Sequence, residues 1–400
     1  MPSPLETDAR KGLSGGATSN KITKIETFRV LPRWLFVRVE TSSGIVGWGE
    51  ATLEGHAEAV EGAFEDFRER FIGWDASNIE DIYQSAYRHR FYRGGEVLMS
   101  ALAGLDIALW DIKGKLLGVP VYELLGGKVR ERVAVYGWIG GDRPKDVLEQ
   151  AKARKAQGFT AVKMNAIESI GWLDSPSALE ATVERVKEVK SIGLDVGLDF
   201  HGRLHKPMAK QLARMLEPHF PLFIEEPLLP GHVDELQKLY QQTSIPIALG
   251  ERLFTRQDVR KYFEAGCIDI IQPDISHSGG ISETKKIATM AEAYDIGVAP
   301  HCPLGPIAFA ASLQIALSCP NFVICEMSWK MHYNQGFDLF SYINNEEAFN
   351  VENGFVSALT KPGLGIEINE ELVRKNAEES KGFSWRNPVW RGPDGAIREW

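Results

Sequence analysis

Six ionisable residues recur along this chain at a nearly constant interval. From Asp199 the series runs to Glu225, Glu251, Asp274, His301 and Glu326, in steps of 26, 26, 23, 27 and 25 residues. Each closes a short apolar run: GLDFH, FIEEP, IALGE, IIQPD, VAPH and VICE. If the runs are neighbouring strands, the six groups converge at one end of a sheet. Asp199, Glu225 and Glu251 brought together would repel, and each would resist ionisation unless a cation neutralised them. A set of oxygen donors suits a hard ion, and Mg²⁺ fits, with waters or substrate oxygens completing its octahedron. The competing reading is a ring of salt bridges with Lys163, Arg203 and Arg252. It accounts well for one carboxylate and poorly for six groups in register.

The remaining polar residues suggest proton chemistry. Asp274 and His301 fall at adjacent ends, and a carboxylate on one imidazole nitrogen raises the basicity of the other. His301 is therefore a candidate general base; a core histidine bonded to a carbonyl is the plainer alternative. His201 lies two residues past Asp199, so both side chains project from the same face of an extended strand. It could handle a second proton or simply support its neighbour. Lys163 and Asn165 repeat the same spacing one run earlier. Lys163 either stabilises a developing anion or pairs with a carboxylate. Glu326 either donates to an enediolate oxygen or is an ion-pair partner. Asn165 and Arg203 are candidates for binding substrate.

These residues need a scaffold that aligns strand ends. From about residue 129, eight apolar runs alternate with helical patterns: 133–138, 161–165, 195–201, 222–226, 246–251, 269–274, 296–301 and 322–326. The helices between them are expected near 144–157, 177–192, 206–217, 232–242, 255–265, 280–294 and 305–317. Buried strands alternating with helices imply parallel pairing, and eight units favour a (β/α)₈ barrel, which places catalytic groups at its C-terminal strand ends. An eighth helix is hard to discern. Upstream, alternation over Ile22–Leu31, Leu35–Glu40 and Val46–Glu50, then helical periodicity over 56–71, 78–90 and 97–117, describe an α+β unit. The expected organisation is a flexible tail over 1–20, the α+β unit over 21–128, the barrel over 129–329, and a mixed stretch over 330–400 that returns to the N-terminal unit. A strand is expected at Gly365–Ile368.

Composition excludes several classes. A net charge of −9 argues against a nucleic-acid surface. No apolar run approaches the ~20 residues that span a bilayer, and no signal peptide is evident. Four cysteines, Cys267, Cys302, Cys319 and Cys325, form no C-x-x-C pair. They fit buried thiols in a reducing, cytoplasmic setting. The Gly-Gly pairs match neither dinucleotide nor P-loop fingerprints, and no G-x-S-x-G elbow occurs.

Eight segments carry a resemblance: FYRGG (91–95), WDIKGKLLG (110–118), GLDFHGR (197–203), FIEEP (223–227), GERLFTR (250–256), QPDISHSGGI (272–281), APHCPLGPIA (299–308) and TKPGLGIEI (360–368). With these, residues 21 to 400 resemble the mandelate racemase subgroup of the enolase superfamily, and within it the acid-sugar dehydratases of galactonate type. The resemblance implies a carbon–oxygen hydro-lyase acting on a small sugar acid. It implies Mg²⁺ on Asp199, Glu225 and Glu251, and His301, tuned by Asp274, as the base at C2. It further implies His201 as the acid for the departing hydroxyl, Glu326 as a stabiliser of the enediolate, residues 21–128 as an α+β capping domain completed by 330–400, and assembly into a homo-oligomer. Two departures stand out. The Lys-x-Lys of the racemases is Lys163-Met164-Asn165 here, and Cys325 and Met327 flank Glu326 where glutamines are expected. The rival readings are an epimerase or cycloisomerase on a related acid, which needs a base or acid on each face of C2, and a non-catalytic binding protein on the same barrel.

Overall fold

The computed structural model describes residues 12, 13, 19–88 and 91–400, so the tail expected over 1–20 lies almost wholly outside the described residues. The described chain opens with an antiparallel sheet of β1 (Ile22–Val30), β2 (Trp34–Thr41) and β3 (Val46–Glu50), in that order. Helices α1 (Ala57–Phe71), α2 (Ile79–Arg88) and α3 (Glu96–Leu117) follow. On α1, Val60, Ala63, Phe64, Phe67 and Phe71 are buried, the three-and-four spacing of a single apolar stripe. Helix α3 rests on β3 at a distance only glycine permits. A β-carbon on Gly47 would stand 2.1 Å from the carbonyl oxygen of Ala108, and one on Gly49 would stand 1.9 Å from that of Gly104. Leu35, Val37, Phe64, Leu102 and Leu105 belong to a core that this unit keeps to itself.

After the single turn α4 (Val121–Leu124) the eight parallel strands begin: β4 (Arg132–Ile139), β5 (Ala161–Asn165), β6 (Asp195–Asp199), β7 (Ile224–Glu225), β8 (Ile247–Leu249), β9 (Ile270–Ile271), β10 (Gly297–Val298) and β11 (Cys325–Met327). Neighbours pair in chain order from β4 to β10, and β11 pairs with β4. The return from β11 to β10 is made by a parallel bridge, Val298 to Phe322, and by the Glu326 N–H, 3.1 Å from the Pro300 carbonyl. Seven helices connect the strands: α5 (Val147–Ala156), α6 (Ser177–Ser191), α7 (Lys206–Leu216), α8 (Val233–Tyr240), α9 (Arg256–Ala265), α10 (Gly280–Glu292) and α11 (Pro306–Ser318). All eight expected strands and seven helices are present. Register decides which tips are level. Asn165 pairs with Asp199 and Asp199 with Glu225, while Asp274 and His301 share a parallel bridge.

Beyond β11 no eighth barrel helix appears among the described residues. A hairpin of β12 (Val351–Glu352) and β13 (Phe355–Ser357) pairs antiparallel with β4 instead. The strand expected at Gly365–Ile368 is reduced to one bridge, Ile343 to Ile368. Gly365 has φ +85°, a left-handed conformation that an extended strand cannot contain. The last helix, α12 (Glu370–Glu379), returns to the N-terminal sheet, where the Asn376 side chain accepts from the Leu31 N–H at 2.8 Å. Two buried carboxylates of the N-terminal unit also reach barrel helices at their N-termini. Glu50 accepts from the N–H groups of Gly305 and Ala308 at 2.8 and 3.0 Å, and Asp106 from that of Ser282 at 3.0 Å. Burial pushes both carboxyls up to about 7, against the pull of these donors.

Candidate active site

The strand tips open into a cavity of about 520 Å³. Asp199, His201, Glu251, His301 and Glu326 line it; Lys163 and Glu225 lie beneath, fully buried. Lys163 places its ammonium 2.8 and 2.9 Å from the two oxygens of Glu225, 3.4 Å from Glu326 and 3.5 Å from Asp199. Burial disfavours that charge, but Glu225 and Glu326 outweigh it and hold the lysine protonated. Of its two readings, the carboxylate-paired lysine matches the geometry. Gln272 donates to Glu225 at 2.7 Å. Even so, burial and the nearby Asp199 drive the Glu225 carboxyl well above its usual range.

His301 carries a carboxylate on each nitrogen. Nδ1 lies 2.8 Å from Asp274, whose other oxygen accepts from the Ser276 N–H at 2.7 Å. Nε2 faces Glu251 at 2.9 Å and Glu326 at 3.7 Å. Burial lowers the imidazole's proton affinity, but Glu251 and Glu326, then the Asp274 hydrogen bond, raise it well above the ordinary value. His201 has φ +49°, in the left-handed region, and stands 2.8 Å from Asp199. Burial would raise the Asp199 and Glu251 carboxyls. His201 and Lys163 reverse this for Asp199, and His301 and His201 reverse it for Glu251.

The donor set fits a hard cation. Asp199, Glu251 and His201 offer ligand atoms within 4.8 Å of one another, and so do Glu225, Glu251 and His301. Oδ2 of Asp199 and Oε1 of Glu326 are buried and meet ion-pair partners only, without a hydrogen bond. Asp199, Glu225 and Glu326 thus crowd around one ammonium, with Glu251 close by. Oxygen lone pairs and negative charge are left over that a divalent ion would take up.

The two residues expected to bind substrate, Asn165 and Arg203, stand outside the cavity lining. Asn165 donates to the carbonyls of Gly141 and Asp142, at 3.1 and 3.3 Å. Arg203 donates to those of Asp142 and Ile167, at 2.8 and 2.9 Å. Both hold the loop after β4. Cys325 and Met327 alternate with Glu326 along β11 and are wholly buried in the wall of the barrel, away from the cavity. All four cysteines are free and buried.

The sequence reading misses other lining residues: Arg33 and Glu54 from the loops of the N-terminal sheet, Trp138, Asp142, His277, Tyr333 and Trp400. Arg33 pairs with Glu54 at 3.2 Å, Glu54 faces His277 at 3.5 Å, and His277 reaches Asp274 at 3.9 Å. Burial alone would raise Glu54, but Arg33 and His277 hold it down at about 2. His277 lies within the QPDISHSGGI segment, three residues past Asp274, and could have been found there. Nothing in the local sequence marks Arg33, Glu54 or Trp400.

A parallel barrel with acidic strand tips, covered by an antiparallel sheet and helices, defines the class: an enolase-type barrel enzyme. Comparison with known proteins makes this specific. The model of the enolase C-terminal domain-like family matches residues 146–372, and that of the mandelate racemase / muconate lactonizing enzyme N-terminal domain matches 25–126. A D-galactonate dehydratase of Variovorax paradoxus is 50% identical over 383 residues, covering 95% of this chain and all of that protein. One from Pectobacterium atrosepticum is 51% identical over the same span. Among solved structures, an enolase from Agrobacterium radiobacter, described as a galactarate dehydratase candidate and crystallised with sodium and L-malate, superposes with a TM-score of 0.85 at 29% identity, covering 95% of this chain and 100% of that one. The chain belongs to the mandelate racemase / muconate lactonizing enzyme family of the enolase superfamily. Its half-identical relatives make it an enzyme of the hydro-lyase class, which sets aside a non-catalytic barrel. No described helix is long and apolar enough to cross a membrane.

Proposed function

We propose that this hydro-lyase dehydrates a sugar-derived 2,3-dihydroxy carboxylate, D-galactonate foremost, to the 2-keto-3-deoxy acid and water. The observation that carries this reading is two histidines on one cavity, His301 backed by Asp274 and His201 beside Asp199. The substrate is proposed from the relatives named D-galactonate dehydratase.

Asp199, Glu225 and Glu251 are the residues that would hold Mg²⁺. When bound, the ion supplies positive charge beside the substrate carboxylate, which lowers the cost of removing the very weakly acidic C2 proton. His301 takes that proton on Nε2; Asp274, accepting from Nδ1, supports the resulting imidazolium. The electron pair left at C2 is first delocalised into the carboxylate as an enediolate; in a second step it forms the C2–C3 double bond as the C3–O bond breaks, and His201 delivers the proton that makes the leaving hydroxyl water. The enol then takes a proton at C3 and gives up its C2 hydroxyl proton, becoming the 2-keto acid. Glu326, its Oε2 accepting from the Cys302 N–H at 3.1 Å and standing 3.7 Å from Nε2 of His301, is the residue proposed to stabilise the enediolate by donating to it. Lys163 fixes Glu225 from below. Asn165 and Arg203 shape the cavity through the loop at Asp142.

Residues 21–128, completed by 330–400, would cap the barrel of 129–329; Arg33, Glu54 and Trp400, all lining the cavity, support that division. An epimerase needs an acid or base on each face of C2; Asn165, at the end of β5, cannot titrate, so His201 would have to serve the second face. The test is a panel of aldonic acids assayed for 2-keto acid with and without Mg²⁺. Mg²⁺-dependent dehydration with D-galactonate best is expected. Inert D-galactonate beside a dehydrated aldonate of opposite C2 configuration would reject the substrate, and turnover indifferent to metal would reject the mechanism.

A further inference from the structure

His201 has few polar restraints. Its backbone sits in the left-handed region, its Nδ1 has no hydrogen-bond partner, and its one charged neighbour in ion-pair reach is Asp199. A flexible ring in that state would sample several orientations, yet delivery of a proton depends on aim. Two indoles flank it. Trp138, near the end of β4, lies with its ring centroid 6.2 Å away and its plane tilted by 16°; Trp400 lies 6.3 Å away, tilted by 21°. Both line the cavity.

Trp400 is itself braced. Trp385 and Trp390 meet it edge-on, with centroids 6.2 and 6.5 Å away. The guanidinium of Arg203 lies 4.6 Å over Trp390, and the same guanidinium bonds the carbonyls of Asp142 and Ile167. Rings packed at such angles restrict one another, and a cation over an indole adds attraction. A chain of contacts therefore runs from the barrel loops through Arg203 and Trp390 to Trp400 and on to His201.

We infer that Trp400 is a positioning residue for His201: with Trp138 it fixes the imidazole plane so that the ring is aimed at the departing hydroxyl. The inference rests on the proposed role of His201, and it assigns no contact between Trp400 and the reacting atoms. Its mark is selective. Proton removal at C2 belongs to His301, so only the later step should suffer. In D₂O, with Mg²⁺ and D-galactonate, the C2 protons exchanged per 2-keto acid formed can be read by NMR of recovered substrate and product. Both events draw on the same bound substrate, so a change in affinity cancels in this ratio. Trp400→Ala should raise the ratio about 10- to 100-fold, the scale of a group displaced by about an ångström. Trp400→Phe, which keeps a flat ring, should restore it most of the way. In protein labelled with ¹³C-histidine and free of substrate, Trp400→Ala should also move the His201 ring protons downfield as a neighbouring ring current is lost. An unchanged ratio in Trp400→Ala, or a Phe variant no better than Ala, overturns the inference. His201→Asn separates the two levels. If it raises the ratio while Trp400→Ala does not, only the positioning role falls. If it leaves the ratio as in the wild type, the reading of His201 fails and the inference with it.

Discussion

At the end of β10 the imidazole of His301 meets Asp274 at 2.8 Å on one nitrogen and Glu251 at 2.9 Å on the other. Past the end of β6, His201 meets one carboxylate and two indole faces. The two surroundings act on different properties of the same side chain. Carboxylates alter how strongly an imidazole holds a proton, and at His301 they overcome the burial that would lower its affinity. Indole rings carry no net charge and act mainly on orientation. A group that must take a proton from carbon needs the first kind of help; a group that must reach one oxygen at one moment needs the second. For the proposed roles, the contrast places the division of labour in what surrounds each histidine.

The strongest test of that contrast removes what the two sides share. Glu251 faces His301 and joins Asp199 and His201 in one candidate ligand group. Glu251→Gln should abolish Mg²⁺ binding by calorimetry and reduce turnover below detection, because an anionic ligand is lost from a buried site. Full turnover, or turnover untouched by EDTA, would break the metal assignment.

Next in size come the histidines themselves. His301→Asn should lose both dehydration and C2 exchange by about 10³–10⁴-fold. His201→Asn should lose dehydration while exchange in D₂O persists. The opposite pattern would swap the roles.

Asp274→Asn keeps a hydrogen-bonding shape but loses the charge that supports an imidazolium. Its kcat should fall by about 10²-fold with KM little changed. Steady-state kinetics showing KM raised and kcat intact would reduce Asp274 to a positioning role. The smallest effect is expected at Met327→Gln. That side chain is buried in the barrel wall, so an amide there should cost about 1–3 kcal/mol of stability, read as a lower melting temperature. Turnover and substrate preference should stay as they are; a shifted preference would mean that the wall behind Glu326 reaches the cavity.

Much of this is written along the chain. Strand ends recur once per βα unit, so carboxylates spaced by one unit must become neighbours when parallel strands pair in order. Asp199, Glu225, Glu251, Asp274, His301 and Glu326 are legible for that reason. The alternation along β11 is equally local, and it turns Cys325 and Met327 away from the side that Glu326 faces. The close seat of α3 on β3 is foreshadowed by Gly47 and Gly49, whose missing side chains leave room for a helix. The hairpin of β12 and β13 is not legible, because strands of two and three residues are too short to show an alternation. The opposite error occurs at Gly365–Ile368, where an apolar stretch looks like a strand and the left-handed Gly365 forbids one.

The sequence by itself determined which residues stand at the tips of the strands, since that depends only on period and order. Tertiary structure alone decided what comes over the top of them. Arg33 and Glu54 are 21 residues apart and Trp400 lies 346 beyond Glu54, so they share no period, and no repeat links them to the barrel. Their meeting around one cavity follows from how the N-terminal sheet and the stretch around Trp385, Trp390 and Trp400 pack against the barrel's open end. Whether Asn165 and Arg203 face substrate or loop was likewise settled by packing. Both side chains found carbonyls of Gly141, Asp142 and Ile167 within hydrogen-bond reach, and a buried donor takes the acceptor nearest to it.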